Sequence, residues 1–108
     1  MENLSKNKIK LIRSLRLKKN RDAERLFVVE GEKIINELLT EQPETIEFVC
    51  STDERFNFER TYFTDERSMK EISSLKTPGD LLAIVRFPEK RAIQSDLIIA
   101  LDGIQDPG

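Results

Sequence analysis

Histidine and tryptophan are absent from these 108 residues, and cysteine occurs once. The missing imidazoles remove His-based general acid–base work, Ser–His–Asp triads and nearly all common zinc sites. The lone Cys50 excludes an internal disulfide and any paired-cysteine metal or redox motif. No apolar run approaches the roughly 18–20 residues of a membrane helix, and the charged N-terminus lacks the apolar core of a signal peptide. What is present, 38% hydrophobic and 35% charged residues, suits a globular domain with a modest core rather than a disordered chain. The expectation is a soluble cytoplasmic protein with no metal and no membrane partner.

The net charge of −2 hides a segregation. Residues 1–26 hold nine basic side chains against Glu2, Asp22 and Glu24, a net +6. The remaining residues hold nine basic against seventeen acidic, a net −8. A basic segment on an acidic body has a local field that the bulk pI of about 5.3 conceals. It serves either as a solvated basic helix or as a grip on a polyanion.

Periodicity along the chain alternates between helix and strand. Ser5 is placed to cap a helix through about residue 19, with Leu4, Leu11, Ile12 and Leu15 on one side. Lys6, Lys10 and Arg13 fall opposite, with Leu17. Lys18, Lys19, Arg21 and Arg25 follow at the helix end and in a short second turn, Asp22 to Leu26. Phe27 to Glu30 reads as a buried strand closed by Gly31. Glu32 to Thr40 reads as a helix buried through Ile34, Ile35, Leu38 and Leu39 and ended near Pro43. Ile46 to Cys50 and Tyr62 to Thr64 read as strands. Asp65 or Ser68 caps a helix to about Leu75, with Met69, Ile72 and Leu75 inward. After the turn at Thr77 to Asp80 comes the strand Leu81 to Val85. Alternating strands and helices favour a layered α/β fold with a largely buried sheet.

The last stretch breaks away. Phe87 to Arg91 carries a proline and three charges, as a linker does, and Asp96 to Asp102 is an apolar run suited to a strand buried on both faces. Such a strand needs neighbours, so the chain is expected to be the front of a longer protein.

Three groups of residues resemble the SpoU (TrmH) family of RNA 2′-O-ribose methyltransferases. Lys18-Lys19-x-Arg21 followed by Phe27-x-x-Glu30-Gly31-x-Lys33 is similar to the family's substrate-binding signature. Thr77-Pro78 is similar to its TPQG turn, with Gly79-Asp80 in place of Gln-Gly. Leu101 to Gly108 looks like the opening of its first catalytic motif, of which Asp106, Pro107 and Gly108 are the last residues present. The resemblance implies that residues 1–90 are an RNA-binding, substrate-recognising domain, and residues 91–108 a linker and the first strand of a methyltransferase domain. The first domain is then a small three-layer α/β/α sandwich resembling the kink-turn-binding ribosomal proteins. The parent adds a trefoil-knotted SPOUT domain that binds S-adenosylmethionine and forms the homodimer. No catalytic residue of the family lies in this chain.

On that resemblance Lys18, Lys19, Arg21 and Arg25, with Lys6, Lys10 and Arg13, are expected to contact phosphates of structured rRNA or tRNA. The bland reading is a solvated helix end, where cations favour the negative pole of the helix dipole. Phosphate contacts give affinity without sequence choice, which leaves recognition to RNA shape and unpaired bases. Glu30-Gly31 either positions RNA or the catalytic domain, or is packing and turn chemistry. Phe27 reads as core, Cys50 as a small buried hydrophobe. Phe56 and Phe58, with charges on both sides, are candidates for stacking on a base. Two rival classes stay open: a stand-alone ribosomal-protein-like RNA-binding module, and a protein-interaction domain docking through its basic helix.

Overall fold

The computed structural model describes residues 2–87; the linker, the apolar run and the start of the catalytic motif lie outside the described residues. Ser5 caps α1 (Lys6–Ser14) from an extended conformation, its hydroxyl accepting from the Lys8 amide at 3.2 Å. The helix stops five residues sooner than its periodicity predicts. Leu17 is extended, and a separate α2 (Lys18–Glu24) starts after it. Asn20 Nδ2 donates to the Ser14 carbonyl at 2.9 Å. Arg21 Nη1 donates to the carbonyls of Leu15 (2.9 Å) and Arg16 (3.0 Å). Those bonds satisfy the carbonyls that ending a helix leaves orphaned, so the break is stable without glycine or proline. The expected turn at Asp22 to Leu26 is therefore the second half of α2, and Leu26 already belongs to β2 (Leu26–Glu30). Arg25 makes the corner between them in the left-handed region, φ 60°.

Gly31, at φ 115°, turns the chain into α3 (Glu32–Glu41), and a 3-10 turn at Pro43–Thr45 leads to β3 (Ile46–Ser51). Then follow β4 (Thr61–Phe63), α4 (Glu66–Ile72) and β5 (Leu81–Arg86). Asp65 caps α4 by accepting from the Ser68 amide at 2.7 Å. α4 ends before Ser73, so Leu75 is not the inward residue its spacing predicts; it is half exposed. Periodicity also missed β1 (Glu2–Asn3), a two-residue polar strand paired parallel to β4.

The five strands run in the order β1-β4-β3-β5-β2. β1, β4 and β3 are mutually parallel, and β5 lies antiparallel between β3 and β2. Alternation along β5 divides the core. Leu81, Ala83 and Val85 face Ile35 and Leu38 of α3, together with Phe27, Val29, Ile46 and Val49. Leu82 and Ile84 face Ile12 and Leu15, next to Met69 and Ile72 of α4, with Phe48 and Cys50. A bulge between Ile46 and Phe48 lets Ile46 and Val49 share one face. Burial on both faces explains why β5 is an unbroken apolar run. The result is a small mixed α/β fold with helices against both faces of its sheet. Among the described residues no helix is long and apolar enough to cross a membrane.

Candidate nucleic-acid interface

A helix with one apolar stripe leaves its opposite face to solvent, and on α1 that face carries Lys6, Lys10 and Arg13. All three are exposed, and none has an ion-pair partner among the described residues. Lys8 leans inward, its ammonium 4.9 Å from the Tyr62 ring centroid and 5.6 Å from that of Phe48.

The corner between α1 and α2 presents Lys18 and Lys19. Lys19 is exposed, and the Lys18 ammonium sits 3.4 Å from Asp22 in a solvent-exposed pair. Such a pair contributes little and exchanges readily for another anion. Both lysines open α2 instead of closing α1. They lie at the positive pole of a helix dipole, so the dipole does not account for them as it would at a helix end. Cations concentrated there raise the local positive potential.

The other basic residues of this segment are held by the chain itself. Arg21 is half-buried and secures the corner from beneath. Arg16 Nη2 reaches the carbonyls at the end of α4, Glu71 at 2.7 Å and Ser73 at 3.4 Å. The Arg25 guanidinium lies 5.5 Å over the Phe87 ring, which in turn packs 5.4 Å from Phe27. Sequence reasoning grouped Arg21 and Arg25 with the lysines and passed over Arg16 and Lys8, because charge alone does not say which guanidinium finds a carbonyl. The structure thus brings Lys18, Lys19 and Arg21 into one corner, while Lys6, Lys10 and Arg13 line the adjoining helix and Arg25 lies at the far end of α2.

Glu30 is a tie between elements. Its carboxylate accepts from Ser73 Oγ at 2.6 Å, the Ser74 amide at 2.9 Å and Ser74 Oγ at 3.1 Å. The Glu30-Gly31 pair is therefore packing and turn chemistry, joining the end of β2 to the segment after α4. Ser73 Oγ also accepts from the Leu75 amide at 3.0 Å. Phe56 and Phe58 are partly buried against the α3-side core, and Arg60 lies 4.9 Å over the Phe58 ring. Phe27 and Cys50 are core, and burial pushes the Cys50 thiol up to about 12, with nearby Lys8 opposing. Among the described residues no group of three or more His, Cys, Asp or Glu is arranged to hold a metal ion.

Fold and surface together define a small mixed α/β domain whose first two helices carry the exposed cations Lys6, Lys10, Arg13, Lys18 and Lys19. Residues 6–83 match the model of the MRM3-like substrate binding domain, and the chain belongs to that family. It is 24% identical, over its whole length, to the 23S rRNA (guanosine(2553)-2′-O)-methyltransferase RlmP of Bacillus subtilis (strain 168), of which it covers 46%. A putative RNA methyltransferase of the TrmH family from Porphyromonas gingivalis superposes with a TM-score of 0.64 at 30% identity, over 79% of this chain and 36% of that one. The crystal structure of an RNA 2′-O ribose methyltransferase superposes at 0.62 and 26% identity, over 83% and 39%. The AdoMet-bound rRNA methyltransferase of Sinorhizobium meliloti, 22% identical, shares the fold at 0.64, over 83% and 37%. The chain thus spans less than half the length of these relatives.

Proposed function

We propose that this chain is the RNA-gripping domain of an S-adenosylmethionine-dependent 2′-O-ribose methyltransferase acting on rRNA or tRNA in the cytoplasm. The observation that carries the reading is the set of exposed cations Lys6, Lys10, Arg13, Lys18 and Lys19 on α1 and α2 of a substrate-binding-family fold. Helices against both faces of the sheet support a three-layer α/β/α sandwich resembling the kink-turn-binding ribosomal proteins. Residues 1–90 form this domain. Residues 91–108, ending in Asp106, Pro107 and Gly108, open the trefoil-knotted catalytic domain through which the parent dimerises.

When bound, S-adenosylmethionine supplies the methyl group. The described residues do not fit that cofactor. α/β folds place ligands beyond the carboxyl ends of their strands, and here Glu30, Ser51 and Thr52 at those ends are engaged within the chain, while Thr64 Oγ1, just past β4, is buried without a hydrogen-bond partner and offers a single hydroxyl. Glu30 is taken by Ser73 and Ser74; Ser51 Oγ donates to the Asp53 carbonyl at 2.8 Å, and Thr52 Oγ1 to Asp80 at 2.8 Å. The contribution of this domain is to hold RNA so that one ribose hydroxyl reaches the catalytic domain, which is positioning. Lys18, Lys19, Lys6, Lys10 and Arg13 neutralise phosphates. Arg25 does so beside Phe87, and Arg21 acts chiefly by fixing the corner.

The test is a titration with structured rRNA fragments and tRNA at several salt concentrations, comparing wild type with a Lys18→Glu, Lys19→Glu variant that keeps Arg21. Each lost phosphate contact shallows the slope of log affinity against log salt by roughly 0.7–0.9. A variant that stays folded and loses both affinity and slope supports the grip. Equal binding by both proteins contradicts it and favours a solvated or protein-docking face.

A further inference from the structure

We infer that Phe87 is a positioning residue for RNA, holding the Arg25 guanidinium over its ring so that Arg25 clasps one backbone phosphate, an inference that rests on the RNA-binding reading above. Three contacts build the arrangement. The guanidinium carbon lies 5.5 Å from the Phe87 ring centroid, and the Phe87 amide donates to the Arg25 carbonyl at 2.9 Å. The Phe87 ring itself packs 5.4 Å from the ring of buried Phe27. The core thus anchors the ring, and the ring anchors the guanidinium.

What distinguishes Arg25 is that its donors are unengaged. Arg16 and Arg21 donate to backbone carbonyls. The exposed Arg25 side chain makes no hydrogen bond or ion pair among the described residues, not even with adjacent Glu24. Its backbone sits at φ 60°, and no other described non-glycine residue has a positive φ. Glycine is the usual residue at such a left-handed corner behind a helix. The bond that closes this corner runs from the Arg25 amide to the Arg21 carbonyl at 2.8 Å, and glycine would make it without steric cost. The corner needs no side chain, so the turn does not explain the arginine.

The chemistry of the group selects the ligand. A guanidinium offers paired N–H donors that match two oxygens of one phosphate. Stacking fixes its direction before the anion arrives, so little side-chain freedom is lost on binding. The phosphate is that of the RNA gripped by the lysines of the same helix. Lys18 and Arg25 are seven positions apart, two turns of α2, which sets their Cα atoms on one side of the helix about 10 Å apart.

Charge-conserving variants isolate this role. The 108-residue chain, its Arg25→Lys and Phe87→Leu variants and the double variant carrying both are titrated with a structured rRNA fragment at several salt concentrations. The Lys18→Glu, Lys19→Glu variant is the control for the grip, and circular dichroism with urea melts checks each fold. Lysine keeps the charge and loses the fork; leucine keeps the apolar anchor and loses the ring. We expect each single variant to lose about three- to fivefold in affinity with the salt slope unchanged, and the double variant to lose no more than either. Phe87→Tyr, which keeps the ring, is expected to bind as wild type does. Single variants that bind as wild type does, while the control loses binding, overturn the inference and leave the RNA-binding reading standing. A double variant that loses the product of the two single effects also overturns it, since the two residues then act independently. Should wild type bind no RNA, the RNA-binding reading itself fails and takes this inference with it.

Discussion

The Arg21 guanidinium donates to the Leu15 carbonyl from 2.9 Å, and that bond closes the corner where α1 gives way to α2. An arginine grouped by charge with its lysine neighbours is thereby committed to the backbone. Arg21→Gln is expected to destabilise the domain by about 1–2 kcal/mol, since two carbonyl partners lose a charged donor. Lys19→Gln, on the same helix but unpaired, is expected to leave stability within about 0.5 kcal/mol. Urea unfolding of the two variants checks the contrast.

Glu30 bridges β2 to the segment after α4 through three hydrogen bonds. Glu30→Ala is expected to lower stability by about 1–3 kcal/mol and to loosen residues 73–76. Faster amide exchange at Ser74 and Leu75, with β5 still protected, is the expected signature. Uniform protection in the variant would contradict the tie.

Cys50 is buried in the α1/α4-side core, and burial lifts its thiol from the ordinary 9.0 up to about 12. The folded state keeps the proton that the unfolded state releases above pH 9.0. The stabilising contribution is therefore complete below pH 9.0 and is lost as pH rises toward about 12. The loss runs at about 1.4 kcal/mol per pH unit within that window. Cys50→Ala is expected to be less stable at neutral pH and to lack this component of the alkaline slope. In wild type the thiol should resist alkylation at pH 8 until urea unfolds the chain.

At the acid end the Asp65 carboxylate is held below its ordinary 3.8, first by the Ser68 amide and then by the Ser68 hydroxyl. Its contribution is present above that ordinary value and is lost as pH falls through the depressed one. Asp65→Asn keeps an acceptor for the amide and removes the titration. Its urea midpoint is expected to fall less than that of wild type between pH 4 and pH 2.

Much of this architecture is legible without coordinates, for local reasons. The Ser5 cap, the Phe27 to Glu30 strand with Gly31 behind it, and the unbroken apolar run at Leu81 to Val85 each carry their signal within a few residues. The end of α1 does not. Leu11, Ile12 and Leu15 keep helical spacing through the break, and the groups that stabilise it come from Asn20 and Arg21, one helix later. Leu75 was misplaced for a related reason, since Ser73 leaves the helix to meet Glu30, far away in the chain. β1 pairs through its backbone alone, which two polar residues do not announce. For the interface, segregation of charge pointed to the segment, but only geometry separated the exposed lysines from arginines engaged with carbonyls.

The account stands most directly on where RNA touches this chain. An amide-resolved NMR titration with a structured rRNA fragment at moderate salt locates the contact. Shifts concentrated on Lys6, Lys10, Arg13 and the Leu17 to Lys19 corner are the predicted result. Shifts confined to α3, or none at an RNA concentration well above that of the protein, would contradict it.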